Sequence, residues 1–411
     1  MAETIKKPSL LLVSGGLLQI FALQRARELG IETHLVDGSE HCAAREHADY
    51  FYKVSTKDVE AVAELAKKLA GEGKINGVYT QGTDATYTVA YAARAAGLPG
   101  IEPQAALNGN DKTTARRMLV DAGISNIAYA VVTSLEDARL QAEKIGFPLF
   151  VKAADNSGSK GVTRVVSDRE LEMAFTEALK NCYGVKKVLL EKEVLGLEYS
   201  VDTILYKGVL YPAGISDRAF LPKENYAVHI GSRTPSMLSV AVQNAMYIKM
   251  DQAAKLLGVT DGAFKGDLVV REGTDEVEIL EVTARLSGGH DSQLRKPLSY
   301  GIDLLKATMD IALGRPLDFK DIIPRWVKWT STFAVFPEPG VVTAITGVDD
   351  VKNIDGVKDV VILVKVGDTV EPYISSVKRN NFITVVADSY EKLLELEKEV
   401  TRTLKIETTP A

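Results

Sequence analysis

An α/β unit built on a parallel sheet, followed by two α+β units, is the fold class this sequence predicts. Three observations predict it. Residues 9–37 run strand, helix, strand; from about residue 103 that alternation gives way to blocks of helices and paired strands; from about residue 331 strands and one amphipathic helix follow. The 411 residues exceed what one hydrophobic core usually serves. The style changes divide them into 1–105, 106–330 and 331–411.

In the first unit SLLLVSGG reads as a buried strand ending in glycines, LQIFALQRARELG as a helix closed by Gly30, and IETHLVD as a second strand. Such a βαβ unit normally has parallel strands and a right-handed crossover. DVEAVAELAKKLAGEG is helical, INGVYTQGTD is strand then loop, and ATYTVAYAARAAG is a further helix. Strand ends that face helix starts make a ligand crevice, and Gly15-Gly16 and Gln81–Asp84 sit there. SGGLLQI lacks the Gly-x-Gly-x-x-Gly fingerprint of a dinucleotide site.

In the second unit a helix capped by Asn110 or Asp111 closes near Gly123, and LEDARLQAEKIG and RELEMAFTEALKNCYG are helices. PLFVKAA, GVTRVVS, KVLLEKEV, LEYSVDTILYKGVLYPAGIS, AFKGDLVV and VEILEVTARLSGG read as strands, and SYGIDLLKATMDIALG as a closing helix. In the third, TSTFAVF, GVVTAITGV, VKDVVILVKVGD and NNFITVVAD are strands, and DSYEKLLELEKEVTRTLKI is a helix. That unit lacks a cluster of catalytic residue types, so packing or dimerisation, as in a homodimer, is its expected role.

Hydrophobic residues make up 46% and charged residues 25%, an ordinary soluble balance. A net charge of −6 argues against broad binding to nucleic acid or an anionic membrane. Cys42 and Cys182 alone imply no disulfide framework, and His41 and His47 lack ligand spacing. The N-terminal apolar run is broken by Ser14-Gly15-Gly16, and no apolar stretch is long enough to span a membrane. A cytoplasmic location is expected.

FVKAADNSGSKGV, residues 150–162, is either a loop that grips phosphate or a polar hairpin turn. Lys112 begins a helix and Lys152 ends a strand, so each could set an ammonium against phosphate oxygens. In EILEVTARL, Glu281, Thr283 and Arg285 fall at i, i+2 and i+4 and project to one side, with Leu280 and Val282 turned toward a core. A hairpin centred on Thr274 sets Asp267 opposite Glu281. Facing carboxylates repel unless a cation lies between them, and Mg²⁺ takes one or two carboxylates plus waters and phosphates. A surface ion-pair ladder is the competing reading. In LEKEVLGLEYSVD a bend separates Glu191 from Glu198, whose carboxylate could accept from ribose hydroxyls.

In this order the pieces resemble the ATP-grasp superfamily, specifically carboxylate–amine ligases of the carbamoyl-phosphate-synthase and L-amino-acid-ligase type. The matching residues are NDK with Lys112, FVKAADNSGSKGV, LEKEVLGLEYSVD, GDLVV and LEVTARLSGGH. The resemblance implies a Rossmann-like pre-ATP-grasp domain over 1–105, an ATP-grasp core over 106–330 with a mobile lid at about 130–190, and a small C-terminal α+β domain over 331–411. It implies ATP and Mg²⁺, with Mn²⁺ as a substitute. Lys112 and Lys152 match the phosphate-binding lysines, and Ser157, Gly158, Ser159 and Gly161 the closing loop, while Lys160 is left between phosphate and water. Glu191 and Val194 match the adenine hinge, Glu198 the ribose acid, Asp267 and Glu281 the metal ligands, and Arg285 the arginine facing the reacting group. Thr283 replaces the family's Asn, a shorter and weaker metal ligand.

The implied chemistry turns a substrate carboxylate into an acyl phosphate, which an amine then displaces. Pocket candidates are Gln81, Asp84, Arg218, His229, Arg233, Ser287, Gly288, Gly289 and His290. Arg218 and Arg233 flank RAFLPKENYAVHIGSR, which either shapes the substrate pocket or is an exposed loop. Rival readings are a carboxylase-like or purine-pathway enzyme using bicarbonate or formate, and a non-catalytic ATP-binding module. The expected partners are small-molecule carboxylates and amines.

Overall fold

The computed structural model describes residues 7–156, 158–182, 184, 186–221, 228–373 and 378–410. Strands β1 (Ser9–Val13), β2 (Glu32–Asp37), β3 (Tyr50–Lys53) and β4 (Gly77–Tyr79) form a sheet in the order β3-β2-β1-β4, and all its pairings are parallel. Helices α1 (Leu17–Glu28), α2 (Val59–Gly71) and α3 (Thr86–Ala95) complete this unit. The unbroken apolar run of β1 has a direct cause. Leu10 and Leu12 pack with residues from far along the chain, such as Leu304, while Leu11 and Val13 pack with Val62 and Ala92. A parallel strand buried on both faces cannot alternate with polar residues.

Next come α4 (Pro103–Asn110) and α5 (Lys112–Asp121). Asp111, not Asn110, is the cap of α5; its carboxylate accepts from the Thr113 and Thr114 amides. A small sheet follows, built from β5 (Tyr129–Val132), β6 (Leu149–Ala153), β7 (Val162–Val165) and β8 (Val188–Lys192), ordered β5-β8-β6-β7 and entirely antiparallel. It is backed by α6 (Leu135–Ile145) and α7 (Asp168–Lys180), which share one apolar cluster with it.

The large sheet takes β9 (Gly196–Tyr206), β10 (Val209–Phe220), β11 (His229–Thr234), β12 (Gly262–Arg271), β13 (Val277–Thr283) and β14 (Trp329–Phe333). It then takes β16 (Val357–Ile362) and β18 (Asn381–Ala387), giving eight strands in the order β13-β12-β9-β10-β11-β14-β18-β16. Hydrogen bonding therefore runs unbroken across residue 330. The intervening β15 (Gly340–Thr346) and β17 (Thr369–Val370) join β19 (Lys405–Thr409) in a separate sheet.

The remaining helices are α8 (Val240–Leu257), α9 (Lys296–Tyr300), α10 (Leu304–Ala312), α11 (Val348–Asn353) and α12 (Tyr390–Thr403). Several details depart from the sequence reading. Helix α8 was unanticipated, although Ser239 caps it and Gly258 ends it in the left-handed conformation; its Met246 and Met250 pack beneath the large sheet. The stretch read as one helix over 299–314 breaks at Gly301 (φ +68°), and Asp303 caps a new start at α10. The last helix stops at Thr403, because Lys405–Thr409 pairs with β15 instead. Among the described residues no helix is long and apolar enough to cross a membrane.

Gly77 marks where the parallel sheet meets α10. A Cβ there would lie 2.3 Å from the Ala312 carbonyl oxygen and 2.9 Å from Leu10 Cδ2. Gly77→Ala should therefore destabilise the fold by about 1–3 kcal/mol in urea unfolding, whereas Gly16→Ala, with nothing within 4 Å, should not. Equal midpoints for the two variants would contradict this packing.

Candidate active site

A cleft of about 400 Å³ opens between the small sheet, the large sheet and the floor that follows β13. Lys152 reaches it because β6 alternates: Val151 enters the core behind the sheet, so Lys152 faces the other way. Lys112 arrives from the first turn of α5, which is tied to the end of β6 by the Lys112 amide donating to the Ala154 carbonyl at 2.9 Å. The Lys112 ammonium donates to the Asn156 carbonyl at 2.5 Å and lies 3.1 Å from Glu281 Oε1.

Asp267 and Glu281 are directly opposed across β12 and β13. A β-bulge makes it so. Asp267 faces Glu281, but the next pair is Leu268 with Ile279, leaving Leu280 as the extra residue. Leu280 consequently lines the cleft beside Glu281 rather than entering the core, which corrects the alternation read from sequence. The bulge is held by Arg116, whose Nη2 donates to the Ile279 and Leu280 carbonyls at 2.8 and 2.9 Å.

Arg116 also bonds Glu191 through Nε, and Lys152 pairs with the other oxygen of that carboxylate. Burial alone would raise the pKa of Glu191, yet the Arg116 guanidinium and the Lys152 ammonium hold it down at about 2. Its side chain is thus an internal counter-ion, while its neighbour Val194 lines the cleft. Asp267 is likewise held at about 2: burial opposes ionisation, but Arg218 and Lys265 outweigh it. Lys265 Nζ is 2.5 Å from Asp267 Oδ2, and Arg218 Nη1 lies 3.2 Å from Asp267 Oδ1 and 3.0 Å from Glu198 Oε2. Glu281 is lowered by Lys112 against its burial, whereas burial prevails at Glu198 and raises it.

The carboxylate pair suits Mg²⁺. Asp267 Oδ1 is buried without a hydrogen bond, its Arg218 contact being an ion pair only, and so keeps a lone pair to give. Among the described residues no group of three or more acidic, histidine or cysteine side chains could hold a metal by itself. Mg²⁺ does not need one, since waters and phosphates complete its shell.

Gly158, Ser159 and Gly161 all have positive φ (65°, 62° and 66°), and the first two line the cleft. Ser157 lies outside the described residues, and Lys160 is exposed and away from the lining. Arg218, His229, Arg285, Ser287, Gly288 and Gly289 line the cleft. The segment that Arg218 and Arg233 flank supplies antiparallel strands β10 and β11 over its described part.

Five expected residues lie elsewhere. Thr283, proposed as a metal ligand, turns its hydroxyl to Asn110 Oδ1 at 3.5 Å and is absent from the lining. Arg233 leaves by the opposite face of its strand, its Nε and Nη2 donating to the two oxygens of Glu397 at 2.9 and 2.6 Å. Gln81 is fully buried and braces the floor by donating to Ser292 Oγ at 3.1 Å. His290 is buried behind the floor, between Phe21 and Phe382. Asp84 is half-exposed and reaches the site through Arg285, 3.4 Å away.

Sequence reasoning missed Arg116, Lys265, Arg295 and Arg379. Lys265 was findable, two residues before Asp267 on the same strand face. Arg295 was findable too, four residues beyond Asp291 on one turn; the pair is 2.9 Å apart. Beneath them Lys296, fully buried, pairs with Asp202 and lies 3.4 Å from Asp291, while Asp202 Oδ1 accepts the Ser287 amide at 3.0 Å. Arg379 gave no local signal. Burial and the nearby Arg218 and Arg295 push it down to about 10, and burial with Arg218 and Arg379 keeps His229 well below its ordinary value.

Three family models match in chain order: the ATP-grasp N-terminal domain over residues 23–100, the ATP-binding domain of the carbamoyl-phosphate synthase L chain over 111–202, and the L-amino acid ligase C-terminal domain 2 over 332–409. The chain belongs to the ATP-grasp superfamily. Alanine–anticapsin ligase of Bacillus subtilis (strain 168) is 27% identical over 301 residues, 67% of this chain and 63% of that protein. The carbamoyl phosphate synthase large chain of Vibrio vulnificus is 27% identical over 332 residues, 77% of this chain and 29% of that one. Matches to the alanine–anticapsin ligases thus span under two thirds of those relatives' length. In fold, this ATP-grasp chain is similar to L-amino acid ligase from Bacillus licheniformis, with a TM-score of 0.85 at 21% identity, covering 98% of this chain and 100% of that one. It is also similar to the biotin carboxylase domain of Hydrogenobacter thermophilus 2-oxoglutarate carboxylase, solved with MgADP and bicarbonate (TM-score 0.75, 19% identity, 97% and 90% covered).

Glu191 offers a test of the buried network. Its carboxyl ionises near 4.5 in the unfolded chain and near 2 when folded. A depressed carboxylate stabilises fully above the unfolded value and loses that contribution as pH falls through the folded one. Glu191→Gln should cost about 3–5 kcal/mol at neutral pH, because Arg116 and Lys152 lose their counter-ion. It should also flatten the stability profile between pH 4.5 and 2. Urea titrations at stepped pH read both effects, and an unchanged acid slope would remove Glu191 from this role.

Proposed function

We propose that the chain is an ATP-dependent ligase that activates a substrate carboxylate as an acyl phosphate and joins it to an amine, releasing ADP and phosphate. The opposed pair Asp267–Glu281, with Lys112 on Glu281 in a cleft that Lys152 also lines, carries the reading. The family models and the alanine–anticapsin ligases support it, and the match over 332–409 favours the amino-acid-ligase branch over carboxylase chemistry.

On this reading residues 106–330 form the nucleotide-binding core, 130–190 its lid, and the cofactors are ATP and Mg²⁺. A carboxylate oxygen attacks the γ-phosphorus and ADP leaves; the amine nitrogen then attacks the acyl carbon, phosphate leaves, and the nitrogen gives up a proton. Phosphoryl transfer asks the protein for alignment and charge neutralisation more than for covalent help. Lys112 and Lys152 would exchange their carboxylate partners for phosphate oxygens. The backbone amides at Gly158, Ser159 and Gly161 would close over the same oxygens, and Val194 and the Glu191 backbone would border the adenine. Glu198 would accept from the ribose. Asp267 and Glu281 would hold Mg²⁺, which neutralises phosphate charge when bound. Arg285 would face the reacting group. Arg164, donating to Glu193 at 2.7 and 2.8 Å, ties the loop-bearing hairpin to the hinge, so that closure moves them together.

The test is incubation with ATP, Mg²⁺ and pooled carboxylates and amines, with mass spectrometry for condensed products alongside ADP and phosphate. Substrate-dependent ADP with a condensed product is expected; no such ADP across broad pools would overturn the reading. Glu281→Ala should lower ADP formation by about a hundredfold or more while the protein stays folded by circular dichroism. Near-normal turnover would remove Glu281 from the metal site.

A further inference from the structure

A second cavity, of about 390 Å³, lies behind the cleft. Its walls come from β4 and α3, from residues 99–101, from the end of β9 and the start of β12, and from α10. Val78, Val89, Ile101, Leu286 and Ile311 make it largely apolar, and exposed Pro99 and Gly314 lie on its rim. Among the described residues Arg285 alone lines both this cavity and the cleft.

The hydroxyls of the wall are answered inside the protein. Tyr79 and Thr308 meet at 3.0 Å, Thr80 donates to the Val13 carbonyl at 2.8 Å, and Thr86 donates to Asn110 Oδ1 at 2.6 Å. Arg285 is different. Its side chain is only 13% exposed; Nη1 donates to the Leu286 carbonyl at 3.1 Å, and Nη2 lies 3.4 Å from half-exposed Asp84. Its Nε is buried without a hydrogen bond.

Protein interiors leave few voids larger than a water molecule, whereas small-molecule sites are mostly apolar cavities of roughly 300–1,000 Å³ with few polar groups. A buried donor without an acceptor is costly, so an acceptor brought to Nε is favoured. Nε and Nη2 form one edge of the planar fork, and that edge takes both oxygens of a carboxylate once Nη2 releases Asp84. The body of such a ligand would rest on Val89 and Ile311. The ligase reading uses Arg285 from the cleft side only.

Resting on that reading's placement of Arg285, we infer that the rear cavity is an inhibitory site. Its ligand is a small apolar monocarboxylate, aromatic or branched aliphatic, whose carboxylate pairs with Arg285 from behind. Pairing neutralises charge that the transferring phosphoryl group requires, so ligand and nucleoside triphosphate oppose each other through one guanidinium.

Calorimetry on the full chain with Mg²⁺ tests this without turnover. The probes are phenylacetate, 4-phenylbutyrate and 4-methylpentanoate, compared with acetate, which lacks the apolar body, and 2-phenylethylamine, which lacks the acid. At least one probe should bind about tenfold or more tightly than either comparator. That probe should weaken a non-hydrolysable ATP analogue about fivefold or more, with the analogue weakening the probe equally, and should leave ADP nearly unaffected. Ile311→Trp and Val89→Trp, which fill the cavity, should abolish probe binding and keep analogue binding. Arg285→Gln should weaken the probe, and Arg285→Lys should restore part of the loss. Thermal unfolding of each variant checks the fold.

Probes that bind no better than the comparators would overturn the inference. So would probe binding that survives both cavity-filling variants in folded protein, which would place the probe in the cleft, or that survives Arg285→Gln. Equal analogue affinity with and without probe would remove the inhibitory role. Probe–analogue antagonism without substrate-dependent ADP release from any pool would count against the ligase reading and leave the rear site standing.

Discussion

The candidate site turns on one buried guanidinium. Arg116 donates to Glu191 and to the Ile279 and Leu280 carbonyls, joining α5, the small sheet and the bulged edge of the large sheet at one point. Its third nitrogen reaches Ser125 Oγ at 2.9 Å, which in turn donates to Glu278. A bulge exposes carbonyls that the ladder no longer pairs, and buried carbonyls need donors. Arg116 supplies them, and the one-residue slip it stabilises brings Asp267 opposite Glu281. Without that slip Asp267 would oppose Leu280, and the two carboxylates would not share a site.

Buried charge recurs around the cleft, and it is not there for stability. Taking ions from water costs several kcal/mol each, and an apolar replacement of equal volume is often at least as stable (roughly 1–4 kcal/mol). Lys296, Asp202, Asp291 and Arg295 nevertheless form a chain of ion pairs beneath the floor. The physical return is orientation. Asp202 receives the Ser287 amide, Ser216 donates to Asp291 and Thr234 accepts from Arg295, so the turn carrying Gly288 and Gly289 is fixed relative to β9, β10 and β11. A glycine floor has little side-chain packing of its own to set its position.

All three parts of the sequence reach this cleft. Gly82 and Leu18 come from the parallel-sheet unit, Lys112 and Glu281 from the middle, and Arg379 from the C-terminal third. His290 explains part of that convergence. Stacked on Phe382 and edge-on to Phe21, with Asp359 Oδ2 3.3 Å from its Nδ1, it pins the floor between the first unit and the last strands.

By itself the sequence determined whatever depends on neighbours a few residues apart. SLLLV had to be a strand buried on both faces; Val151 in the core meant Lys152 in the cleft; GDLVV and EILEV around a short polar turn had to form a hairpin; the glycines near residue 160 permitted a left-handed loop. The order of these pieces also marked the superfamily. Tertiary structure alone decided which partner each side chain would meet. Leu280 left the core because Arg116, more than 160 residues earlier, claimed its carbonyl. Thr283 met Asn110, Arg233 met Glu397, and His290 turned away from the cleft to aromatic rings contributed from far along the chain. Arg379 came to a site whose other members end 84 residues before it, at Arg295. Backbone periodicity fixes the face of an element on which a residue stands. What covers that face is set by packing between elements remote in sequence, and no local pattern encodes it.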